Sequence, residues 1–176
     1  CVVYSGPDAR YQGRQICVGS NQSEINIADV TDKGSPVPIG RGSYPNVAYA
    51  HQGWFYEEQR YFYMGDEGDE VQGNVPGTRT IVWDLSQLDD PVVVKEYIGP
   101  VQATDHNLFI KDDRVYMSNY GSGLRVVDIS DRENPQEVAF FDTAPLGDNE
   151  AGMSATASGA VSKKATSCGF SRSLMS

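Results

Sequence analysis

"LRVVDISDRENP", residues 124–135, is an apolar run closed by an aspartate, an aliphatic residue, a serine and, seven places after the aspartate, a proline. The same order occurs twice upstream, as "INIADVTDKGSP" over 25–36 and "TIVWDLSQLDDP" over 80–91. The aspartates are Asp29, Asp84 and Asp128, spaced by 55 and then 44 residues, and the prolines are Pro36, Pro91 and Pro135. The chain's two histidines keep the same register: His51 follows Asp29 by 22 residues, and His106 follows Asp84 by 22. After each histidine come an apolar stretch, a charged turn ("YEEQR", "KDDR") and an aromatic-rich stretch ("YFYMGD", "VYMSNY"). Blocks that share internal spacing mark a structural repeat.

Each unit resolves into four short strands. In the third they are expected near 104–111, 114–120, 123–130 and 136–142, where Val, Ile, Tyr and Phe dominate and Asp, Asn, Gly and Ser separate the runs. The proline opens the fourth strand, where its missing N–H breaks no ladder bond. No stretch of ten or more residues carries helical periodicity. Four antiparallel strands recurring at this interval predict an all-β fold, a partial β-propeller of about three blades; a sandwich does not call for repeats this regular. The blades are expected at about 1–42, 43–98 and 99–150. The stretch 151–176 is rich in Ser, Ala and Gly and carries one aromatic residue, so it is expected to bury little apolar surface. The sequence opens in mid-pattern without an initiator Met, which reads as a segment of a longer protein, so a missing leader carries no message.

The formal net charge is -10, and residues 1–150 hold all 24 acidic residues but only 11 of the 14 basic ones. Such a balance argues against nucleic acid or an anionic membrane as a partner. No apolar run is long enough to span a bilayer. Cys1, Cys17 and Cys168 fit no zinc spacing and leave an odd thiol. Cys1 and Cys17 are read as lying on adjacent strands but out of register for a bridge. Pairing between them and pairing of either with sequence elsewhere are equal readings.

"SGLRVVDISDRENP" resembles the LVIVD repeat, a blade unit of extracellular β-propellers. The runs "SYPNVAYAHQGWFYEEQRYFYMGDEGDE", "GTRTIVWDLSQLDDP" and "DHNLFIKDDRVYMSNYGSGLRVVDIS" are similar to the choice-of-anchor B family. The resemblance covers residues 1 to about 150. It implies a secreted β-propeller tethered at the cell surface, hence an extracellular location. It implies no catalytic residues.

Blade geometry sorts the polar residues. Successive strands run antiparallel, so the links between blades and the loops joining strands two and three emerge on one face. His51, Asp105 and His106 then border the central channel on that face, placed to hold a polar ligand or metal. The middle unit's loop "GDEGDEVQGNVPG" opens there too, and its 11 extra residues account for the uneven period. Its Asp66, Glu67, Asp69 and Glu70 are candidate Ca²⁺ ligands through hard oxygens, without an EF-hand pattern. Asp29, Asp84 and Asp128 lie toward the opposite face and read as builders of the turn after strand three. Trp54 and Trp83 read as core or inter-blade packing. "GSGLR" lacks the context of a phosphate cradle, and neither His has a Ser or Cys partner at a suggestive spacing. The leading expectation is a binding module, for a protein or small polar ligand, working through its channel face. A metal-assisted hydrolase or oxidoreductase at the channel mouth is the rival, and a purely structural repeat the third reading.

Overall fold

The computed structural model describes residues 1–142. The fold is all-β: apart from a 3-10 turn at Ala9–Tyr11, the regular elements among the described residues are twelve strands in three four-stranded antiparallel sheets. Blade one contains β1 (Val2–Val3), β2 (Gln15–Ser20), β3 (Ile25–Asp29) and β4 (Val37–Gly42). Blade two contains β5 (Ala50–Phe55), β6 (Tyr61–Asp66), β7 (Arg79–Asp84) and β8 (Val92–Ile98). Blade three contains β9 (Asn107–Lys111), β10 (Arg114–Asn119), β11 (Gly123–Asp128) and β12 (Gln136–Phe141). Each sheet pairs its strands in chain order, as a propeller blade does, and the described blades form an open array. The stretch 151–176 lies outside the described residues.

Local chemistry repeats along with topology. Pro36, Pro91 and Pro135 each directly precede a fourth strand, β4, β8 and β12. In all three sheets the ladder between strands three and four carries a register shift, at Ile27/Ala28, Val82/Trp83 and Val126/Val127. A bulge at a fixed station bends the outer strand in the same way each time. The hairpin between β9 and β10 turns on Asp112 and Asp113, both at positive φ, as a two-residue primed turn requires.

The middle blade is buried on both faces, and the core splits accordingly. Phe62, Met64, Ile81 and Trp83 face Ile16, Ile25 and Ile27 of blade one, while Tyr63 and Val82 face Leu108, Val115, Met117 and Val127 of blade three. Trp83 is fully buried, as its place in a strand run suggests. Trp54 is half-exposed and meets Phe109 of the next blade edge-on. Blades one and two approach closely at Gly40, where a Cβ would sit 2.3 Å from the Leu88 carbonyl oxygen.

Cys1 and Cys17 form a disulfide. The out-of-register expectation is corrected: Val2 pairs with Ile16, so continuing the same ladder sets Cys1 directly opposite Cys17. The turn at Ala9–Tyr11 takes up the slack in the connection.

Candidate functional site

The inner strands of blades two and three meet at the channel. The Leu108 N–H donates to Gln52 Oε1 at 2.7 Å, and His51 Nδ1 lies 3.2 Å from the His106 carbonyl oxygen. A carbonyl can only accept, so His51 Nδ1 is the donor of this contact. His51 Nε2 lies 3.6 Å from Glu67 Oε2, and the two imidazole rings are 4.9 Å apart between centroids. His51, Glu67 and His106 offer ligand atoms that all fall within 4.8 Å of one another. Two tyrosines frame the group. Tyr49 lies against His51, and the Tyr120 ring meets His106 edge-on at 5.1 Å. Burial first, and then a hydrogen bond to Glu67, raise the Tyr120 hydroxyl above its ordinary pKa. Burial lowers the pKa of His106; the Glu67 charge opposes that shift and His51 adds to it. All three side chains are only partly shielded from solvent.

The residues expected at this face divide between two layers. His51, His106 and Glu67 form the outer one. Asp66, Asp69, Glu70 and Asp105 turn inward and are buried. Asp66 accepts from the Tyr44 hydroxyl at 2.8 Å and the Tyr49 N–H at 2.6 Å, so it shapes the link entering β5. Arg79, itself buried, pairs with Asp69 at 2.6 Å and Asp66 at 3.3 Å and donates to the Pro45 and Asn46 carbonyls. Glu70 Oε1 accepts from the Asp105 N–H at 2.8 Å, tying the residue before His106 to the loop that carries Glu67. Four carboxylates around one guanidinium leave the layer short of positive charge. Burial, and then the neighbouring carboxylates, push Asp105 well above the usual carboxylate range. Asp69 is pushed up to about 7 by burial and by Asp66 and Glu70, against the pull of Arg79. Asp69 Oδ1, Glu70 Oε2 and Asp105 Oδ1 have no hydrogen-bond partner among the described residues. Asp105 Oδ2 occupies the space a Cβ on Gly65 would need, 2.3 Å away, so this packing requires glycine there.

The repeated aspartates sit where the turn reading puts them, at the far ends of β3, β7 and β11. Asp29 Oδ1 accepts from the Thr31 N–H at 2.9 Å, Asp84 Oδ1 from Ser86 at 2.7 Å and Asp128 Oδ1 from Ser130 at 3.0 Å. Each also meets an arginine at the start of its neighbouring strand, Arg14, Arg60 or Arg114. Those arginines were a missed part of the repeat. They close "YQGR", "EEQR" and "KDDR" in turn, but the insertion between Arg60 and Asp84 hides the shared spacing. Arg79, Tyr44 and Tyr120 were also missed, because nothing local in their sequence marks their partners.

No protein-family model matches the chain, and no curated protein does. Among solved structures it is similar to the C-terminal domain of Pseudomonas aeruginosa PilY1, with 13% identity and a TM-score of 0.46 over 82% of this chain. The match spans 32% of that structure's chain, so the present sequence accounts for about a third of its length. At that distance the likeness carries no argument, and the propeller assignment rests on the three sheets themselves.

Proposed function

We propose that this chain is part of a secreted, surface-tethered β-propeller of the choice-of-anchor B type that serves as a binding module through its channel face. One observation carries the reading: polar side chains from two successive blades, His51 and Glu67 from one and His106 and Tyr120 from the next, converge at one half-open place there. Function collects on such loops and strand ends, where a rigid scaffold presents adjustable side chains. The Cys1–Cys17 disulfide supports an oxidising, extracellular setting. No described helix is long and apolar enough to cross a membrane. A metal-assisted enzyme is the second reading, favoured by the His/Glu/His composition of the same group. A purely structural repeat would leave that convergence without a purpose.

The test is to titrate the ¹⁵N-labelled protein with a panel of small polar probes (acetate, inorganic phosphate, simple sugars and short peptides) while following amide shifts. Saturable shifts centred on 49–51, 67 and 106, and lost in His51→Ala, support the module. Shifts confined to the opposite face, or none anywhere, contradict it.

A further inference from the structure

We propose that His51, Glu67 and His106 form a three-ligand site for a divalent transition cation of the zinc class, with its fourth position open toward the channel; this rests on the channel-face reading above. Tetrahedral coordination with bonds of about 2.0–2.2 Å places neighbouring ligand atoms roughly 3.3–3.5 Å apart. His51 Nε2 and Glu67 Oε2 are already 3.6 Å apart, within a small side-chain adjustment of that spacing. The His106 ring nitrogen closes the set from within 4.8 Å, a gap that rotation of one imidazole spans.

Three further features suit a cation. First, His51 donates its Nδ1 proton to the His106 carbonyl, which fixes both tautomer and ring direction with Nε2 aimed at Glu67. Metal-ligating histidines are commonly held by such an outer hydrogen bond. Second, His106 Nδ1 is buried and has no hydrogen-bond partner among the described residues, an unmet demand at the site itself. Third, a hydrogen bond from the Tyr120 hydroxyl orients Glu67, the third ligand.

Donor chemistry selects the metal. Two imidazoles and one carboxylate suit Zn²⁺, Fe²⁺, Co²⁺ or Ni²⁺, whereas Ca²⁺ takes six to eight oxygens. The site therefore replaces the Asp105 of the sequence expectation with Glu67, and Glu70 acts as a positioning residue through the Asp105 N–H.

The experiment is calorimetric titration of the metal-stripped chain with Zn²⁺ and separately with Ca²⁺, together with the visible spectrum of the Co²⁺ form. One Zn²⁺ per chain is expected, with a tetrahedral Co²⁺ spectrum. His51→Gln, His106→Gln and Glu67→Gln should each weaken Zn²⁺ at least about 100-fold. Glu57→Gln, on a distant turn, should leave it unchanged. Circular dichroism checks that each variant folds, and the Co²⁺ spectrum of the unaltered protein decides the matter should one not. An octahedral Co²⁺ spectrum, Zn²⁺ binding indifferent to the three substitutions, or Ca²⁺ bound tighter than Zn²⁺ would each overturn the site. If Zn²⁺ fails while polar probes still shift the channel-face amides, the metal falls and the binding module stands. If both fail, both fall.

Discussion

Replacing Asp84 separates the two roles that the repeated aspartate plays. Its Oδ1 accepts from the Ser86 N–H at 2.7 Å and the Ser86 hydroxyl at 2.5 Å, while Oδ2 meets Arg60 Nη2 at 2.8 Å. The aspartate is mostly shielded but Arg60 is about half-exposed, so the ion pair is worth only about 0.5 kcal/mol. The two turn hydrogen bonds, one to a backbone donor in a tight connection, contribute about 1.5 kcal/mol more. Asp84→Ala should therefore destabilise by about 2 kcal/mol, or roughly 6 °C in Tm for a chain of this size. Asp84→Asn keeps an acceptor for the Ser86 N–H and loses only the charge, so its cost should be about 0.5 kcal/mol. Urea denaturation followed by circular dichroism reads both midpoints at constant slope. Equal losses for Ala and Asn would refute the turn reading in favour of charge; losses below about 0.5 kcal/mol for both would remove the aspartate's role in the repeat altogether.

Arg79→Met should be far more damaging, about 3–5 kcal/mol, because it strands Asp66 and Asp69 as buried carboxylates; a loss under about 1 kcal/mol in the same urea assay would show that the arginine is not the layer's anchor. Gly40→Ala should cost about 1–3 kcal/mol, since its Cβ would meet the Leu88 carbonyl and the Asp89 Cα, backbone atoms that cannot swing away. Gly121→Ala, with nothing within 4 Å of its Cβ, is the neutral control, and equal Tm changes for the two would contradict the close approach of the blades. In acid, Asp8 and Asp29 are both held down at about 2, Asp8 chiefly by its Arg10 hydrogen bond and Asp29 by Thr31 and then Arg14. A carboxylate whose folded pKa is depressed stabilises fully above its unfolded pKa, so stability should fall as pH drops from about 4 toward 2. Melting temperatures that stay flat across that window would exclude these pairs as contributors.

The fold was legible because its determinants are local and repeated. The Asp-aliphatic-Ser/Thr-to-Pro pattern marks strand three, its turn and the start of strand four in each blade, and the alternating apolar positions mark the strands between. The candidate site was half legible. His51 and His106 stand out as rare residues at matched offsets from Asp29 and Asp84. Which acid joins them depends on how the inserted loop folds: Asp66 and Asp69 turn inward to Arg79, Glu70 turns inward to the Asp105 N–H, and Glu67 stays outside, a choice made by tertiary partners. Asp105, adjacent to His106, was drawn inward by the same layer, since Gly65 leaves room for it. The register that sets Cys1 opposite Cys17 was not legible, because it depends on a 3-10 turn that the connection does not announce.

The account stands on two successive blades setting His51 and His106 side by side at the channel. A nuclear Overhauser spectrum of the ¹³C,¹⁵N-labelled protein tests this directly, since ring centroids 4.9 Å apart place ring protons within range. Cross-peaks between the two imidazoles, with His51 in its Nδ1–H form, are the expected result. Imidazoles without mutual cross-peaks, or His51 protonated on Nε2, would contradict it.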